Sequence, residues 1–326
     1  MQRIEAPHNI RSLCWLDDQL IDWASGGQIL RLDGTIGEPN VIYGYRFDAA
    51  VMSPCGEFAV IYEKLGTKGL VLNKGRVVRE INRSFYHANV YEYPIAIFET
   101  QDGQTALVHC PEQYCRLEIE DIRTGETLAK SDMRQPSDFF HSRLRTSPDG
   151  NWLLSAGWIW HPWNDVAVYD INASLRDGAA LDKSLPLPSF EYEVVSAELI
   201  SRDRMLITTS NETLDDDSDE RNVGPRSLAV VDLSTRTIKS CVQAQEPVGM
   251  LMPLDEELAI GFHGFPKLFS LKTGEVLKRW EEINSGNQTS SVIWNEIHAP
   301  PIAIDKEKRR FAVAENKFVT VVNVDS

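Results

Sequence analysis

One structural unit recurs seven times along this chain, and that recurrence limits the possible folds more than any single motif does. Each copy is a short tight turn followed by a strand of small, β-branched or aromatic apolar residues. The copies read WLDDQLIDWAS (Trp15–Ser25), SPCGEFAVIYE (Ser53–Glu63), TQDGQTALVHC (Thr100–Cys110) and SPDGNWLLSAG (Ser147–Gly157). They continue as SRDRMLITTS (Ser201–Ser210), PLDEELAIGF (Pro253–Phe262) and DKEKRRFAVAE (Asp305–Glu315). Pro and Gly suit such turns because Pro presets φ and Gly tolerates positive φ.

A short apolar strand precedes each copy, as in FDAAVMS, YPIAIFE and PPIAID, and an alternating strand with a polar turn follows, as in DVAVYDINAS and RSLAVVDLSTRTIKSCV. The unit therefore predicts four antiparallel strands, a to d, at the 40–50-residue spacing of propeller blades. Inner strands should be apolar on both faces and outer ones should alternate. The last copy supplies only three strands before KFVTVVNVDS, and the N-terminal QRIEAP can provide the fourth, closing the ring without a free edge. The expected fold is all-β: one seven-bladed propeller of four-stranded blades, a single domain over residues 1–326. Helix is expected only near Asn172–Ala180 and Trp280–Asn284.

The SPDG-plus-strand unit and the strand endings VYD (Val168–Asp170) and VVD (Val230–Asp232) resemble the degenerate repeats of the WD-repeat and YVTN-type β-propeller superfamily. The likeness covers nearly the whole chain, although neither a Gly-His dipeptide nor a Trp-Asp ending stands in its usual place. It implies propeller architecture and a bias toward protein binding.

The net charge is -15, with a sequence pI near 5.0. Long-range repulsion argues against nucleic acid and anionic membrane and favours a protein partner with a basic surface. MQRIEAPHNI carries no signal-peptide apolar core, and no uninterrupted apolar stretch approaches membrane-spanning length. Five cysteines without a framework spacing suit a reducing, cytoplasmic compartment.

In a propeller the b–c and d–a connections share one face, here called the top, and three features map to it. The fourth-blade b–c hairpin carries Trp158, Trp160, His161 and Trp163. Such a cluster serves either as an aromatic anchor for a partner or as a plug against the neighbouring blade. The fifth-blade b–c insertion carries Asp215, Asp216, Asp217, Asp219 and Glu220. Its D-x-D-x-D opening resembles a calcium loop but lacks the turn glycine and closing carboxylate, which leaves a solvated loop or a docking tongue for a basic partner. His141 and His298 start inner strands near the channel mouth, where Glu193 and Glu246 could complete a metal site. No cofactor is expected, because no Walker A loop, dinucleotide fingerprint, H-E-x-x-H helix or G-x-S-x-G elbow occurs. The favoured reading is a non-catalytic interaction platform, one version being an antitoxin or immunity-type binder of a basic protein. The alternatives are a metal-dependent propeller hydrolase or lactonase, and a small-molecule or glycan binder.

Overall fold

The computed structural model describes residues 1–213, 223–292 and 299–326. The N-terminal strand β1 (Gln2–Glu5) belongs to the last blade, and the remaining strands follow in order around a ring. Blade 1 holds β2 (Cys14–Leu16), β3 (Gln19–Asp22) and β4 (Gln28–Arg31), and blade 2 holds β5 (Ala49–Met52), β6 (Phe58–Tyr62), β7 (Lys68–Asn73) and β8 (Arg76–Asn82). Blade 3 holds β9 (Ile95–Glu99), β10 (Thr105–His109) and β11 (Glu118–Asp121), and blade 4 holds β12 (Leu144–Thr146), β13 (Trp152–Ile159) and β14 (Trp163–Asp170). Blade 5 holds β15 (Tyr192–Ser201), β16 (Arg204–Thr213), β17 (Ser227–Asp232) and β18 (Thr237–Gln243). Blade 6 holds β19 (Leu251–Pro253), β20 (Leu258–Gly261), β21 (Lys267–Ser270) and β22 (Val276–Arg279), and blade 7 holds β23 (Ile302–Asp305), β24 (Arg310–Glu315) and β25 (Phe318–Asn323). All pairings within the blades are antiparallel, and the fold is a seven-bladed β-propeller.

Every recurrent unit falls on an a–b turn and the b strand after it. Gly56, Gly103 and Gly150 adopt positive φ in the turns that keep a glycine, and Asp17 and Arg309 take the same left-handed conformation where it is missing. The b strands are buried on both faces, as in β6 and β24, whereas the outer β18 is exposed along most of its length and β22 alternates between half-buried and exposed residues. Among the described residues seven clusters of buried apolar side chains lie one between each pair of successive blades. The cluster joining blade 7 to blade 1 includes Ile4, Leu20, Leu30, Ala312 and Val319. The ring is thus closed by packing as well as by hydrogen bonds, because β1 pairs with β25 from Gln2↔Val321 to Glu5↔Phe318.

Two expectations need correction. Blades 1, 3 and 4 have three strands and not four. In blades 1 and 3 the outer strand shrinks to single bridges, Leu30↔Ile36 and Glu120↔Thr127, and in blade 1 the following Gly37-Glu38-Pro39 cannot extend a ladder. In blade 4 the Asp170 carboxylate accepts the Ala173 N–H and caps the helix α1 (Ile171–Arg176), which takes the place of an outer strand together with a 3-10 turn at Gly178–Asp182. The second correction is at Trp280–Asn284, which forms a turn with the Ile283 N–H bonded to the Trp280 carbonyl, and no helix.

Candidate functional site

The mouth of the channel on the top face is strapped. The connection from blade 6 to blade 7 reaches across and forms a β-bridge, Tyr91↔Val292, with the connection from blade 2 to blade 3. Glu92 organises this crossing. Its Oε1 accepts from Arg143 Nε at 2.9 Å and from Gln288 Nε2, while Arg143 Nη2 donates to the Ser290 carbonyl at 2.6 Å. Burial opposes the charge on Glu92, but the neighbouring Arg143 and Lys64 outweigh it and hold the carboxyl below its ordinary range. Deeper down, Glu198 of β15 pairs with Arg145 of β12 at 3.0 Å and with Lys306 of the seventh-blade a–b turn at 3.2 Å. The channel is therefore crossed by ionic bridges at two levels.

Beside the strap lies an aromatic cluster built from blades 2, 3 and 4. Phe140 extends the fourth blade upward through a bridge to Trp158, and the two rings stack at 3.8 Å between centroids and 13° between planes. Gly157 permits this approach, since a Cβ there would collide with the Phe140 carbonyl. Tyr114 stacks on Phe140 at 4.1 Å and donates its hydroxyl to Asp138 at 2.6 Å; Tyr91 meets Trp158 edge-on at 6.0 Å. Over this buried floor sit Tyr86, His87 and Trp160, with His87 and Trp160 edge-to-face at 5.0 Å. Phe85 is 86% exposed, Tyr86 44% and Trp160 43%.

The loop that carries Phe85 and Tyr86 is held from below by Arg83. The Arg83 guanidinium lies between the rings of Tyr91 and Tyr93, 4.6 Å and 4.8 Å from their centroids. It donates to the carbonyls of Gly66, Ala88 and Tyr91, at 2.7, 2.6 and 3.0 Å. His87 and His161 both take positive φ, 54° and 93°, as does Arg143 at 42°. Three such residues at one corner are strained positions that only a well-determined surrounding holds.

The residues singled out from sequence meet different fates. Trp158 is 1% exposed and forms part of the aromatic floor, so its expected role as a surface anchor is wrong and the plug reading holds for it. Trp160 and His161 are exposed at the hairpin tip, and Trp163 is half-buried opposite Ile159. His141 is buried with both ring nitrogens engaged, Nδ1 by Ser155 Oγ and Nε2 by the Cys115 carbonyl, each at 3.2 Å. Desolvation lowers its pKa to about 3, so it is a neutral structural ring. Glu193 accepts from the Asn164 side chain and backbone, and Glu246 pairs with Arg279 at 2.5 Å and lies 3.7 Å from Lys267. His141, Glu193 and Glu246 are thus each engaged with other partners, and no group of three or more possible metal ligands occurs among the described residues. Asp215, Asp216, Asp217, Asp219, Glu220 and His298 lie outside the described residues. Sequence reading missed Phe85, Tyr86 and Tyr114. The aromatic density of SFYHANVYEYP (84–94) was the available signal.

No family model matches the chain, and no curated protein does. Solved structures match widely, 1103 chains in all. One, titled crystal structure of the mitotic checkpoint complex, aligns over 99% of this chain and 91% of its own with a TM-score of 0.61 at 11% identity. Another, the computationally designed Ika8 protein, aligns over 98% of both chains with a TM-score of 0.54 at 13% identity. Likeness at such identities shows the fold. Among the described residues no helix is long and apolar enough to cross a membrane.

Proposed function

We propose that this chain is a non-catalytic protein-interaction platform whose docking site is the aromatic corner formed by Phe85, Tyr86 and Trp160. The observation that carries the reading is the combination of three exposed aromatic rings with a stacked, buried floor that fixes their positions. Aromatic side chains displaying large area on a rigid base lose little entropy on binding and are the residue type that dominates interface energetics. Their charged surroundings point to a basic partner. Asp138, which accepts from the Tyr114 hydroxyl, is exposed beside the cluster, the overall charge is -15, and the sequence carries a further acidic run at 215–220. In this scheme carboxylates steer the encounter and the rings provide the desolvated contact.

The test is affinity capture from the source organism with wild type and with a Phe85→Ala, Trp160→Ala double variant, followed by identification of bound proteins. The reading expects one basic protein, retained by wild type and lost by the variant at unchanged melting temperature. Equal retention by both, or concentration-dependent self-association through the same rings, overturns it.

A further inference from the structure

Between the strap and the Arg145–Glu198–Lys306 bridge the channel encloses a cavity of about 160 Å³. Its ionisable lining comprises Arg11, Lys64, Arg143 and Arg145 against Asp48 and Glu92, a surplus of two cations (four minus two) inside a chain of net charge -15. The two carboxylates are already committed. Asp48 accepts the Lys64 backbone N–H at 2.7 Å, and Glu92 is held by Arg143 and Gln288. Two of the four cations are committed as well, Arg143 to Glu92 and Arg145 to Glu198.

Lys64 and Arg11 are left over. Neither forms an ion pair among the described residues, and the Tyr62 hydroxyl, on the same wall as Lys64, makes no hydrogen bond there. The Lys64 ammonium is half-buried and acts on Asp48 and Glu92 only at longer range, with no carboxylate within ion-pair distance among the described residues, so an incoming anion that pairs with it offsets part of its desolvation cost. The walls also focus the field of the surplus charge. Strain at Arg143, whose φ is 42°, is maintained in this same wall.

We propose that the cavity binds a small oxyanion, a phosphate- or carboxylate-bearing ligand held by Lys64, Arg11 and the Tyr62 hydroxyl. The site is independent of the aromatic corner, so either proposal can fail alone. The protein is titrated calorimetrically at constant ionic strength in chloride, with inorganic phosphate in one arm and succinate in the other. Saturable binding of one or both is expected. Lys64→Gln should weaken it about tenfold, as loss of a charge-assisted hydrogen bond does. Tyr62→Phe, which leaves the charge unchanged, should weaken it several-fold, and Lys308→Gln at the opposite end of the channel should leave it unchanged. Lys64 makes no close ion pair among the described residues, so its variant should lose only the longer-range support of Glu92 and melt within a few degrees of wild type, and a folded variant with weakened binding separates lost binding from lost fold. Binding in only the phosphate or only the succinate arm assigns the headgroup. Heat from neither anion, or equal affinity in wild type and Lys64→Gln, overturns the proposal.

Discussion

Trp158, in β13, and Trp160, in the turn that follows it, lie two residues apart, yet their substitution should have opposite consequences. Trp158 is 1% exposed, stacked on Phe140 and edge-on to Tyr91. Replacing a buried Trp by Ala costs roughly 3–5 kcal/mol through lost transfer energy and an unfilled cavity. Unfolding entropy near 2.1 cal/mol/K per residue gives about 0.7 kcal/mol/K for this chain. A loss of about 4 kcal/mol therefore lowers Tm by about 6 °C. Trp160, 43% exposed, gives up only part of its area on truncation, and its Ala variant should stay within about 1.5 °C of wild type. Its effect belongs to binding, where loss of an aromatic anchor worth about 2 kcal/mol weakens affinity about thirtyfold. Trp158→Phe refines the argument. The indole N–H of Trp158 is buried without a hydrogen-bond partner among the described residues, so phenylalanine keeps a ring for the stack and removes that donor. Its cost should be less than half that of Trp158→Ala. Urea unfolding and thermal melts of the three variants decide the matter. Equal destabilisation by Trp158→Ala and Trp160→Ala would refute the floor-and-tip division, and so would a Trp158→Phe variant as unstable as the alanine.

Two further outcomes follow from the same coordinates. His141 has a folded pKa of about 3 against an ordinary 6.5, so the unfolded chain binds the extra proton. Its neutral burial stabilises fully above pH 6.5, and this contribution falls away as pH drops from about 6.5 to about 3, up to roughly 5 kcal/mol in all. Between pH 7 and pH 5 wild type should lose about 2 kcal/mol that a His141→Asn variant does not, and parallel urea midpoints for the two would contradict the assignment. Removal of residues 1–6 strips β1 from β25 and Ile4 from the blade 7–blade 1 core, leaving a bare edge. That truncation should lower stability by at least the roughly 2–5 kcal/mol of a deleted core Ile and promote concentration-dependent association on gel filtration. A monomer as stable as the full chain would show that closure does not depend on β1.

The blade plan was legible in the chain because it rests on local chemistry. Turn residues and the alternation of apolar side chains act within a dozen residues, so all seven a–b units, the N-terminal closing strand and the alternation of the outer β22 could be read directly. Local signals misled where a neighbour competes. Asp170 ends β14 with a helix cap and removes an outer strand that the repeat alone would supply. The functional corner was hidden for a further reason, since residue type does not set exposure. Trp158 is covered by Phe140 and Tyr91, His141 is kept neutral by desolvation, and the mouth is strapped by a bridge between Tyr91 and Val292. Tyr91 and Val292 come from connections of other blades, about two hundred residues apart in the chain, and their placement depends on how many sheets close the ring and how far each is rotated. Sequence determined the repeating sheet and its closure through short-range preferences. The tertiary structure alone decided which aromatics face solvent and which charges remain unpaired, because both are set by contacts that form only once the ring is complete.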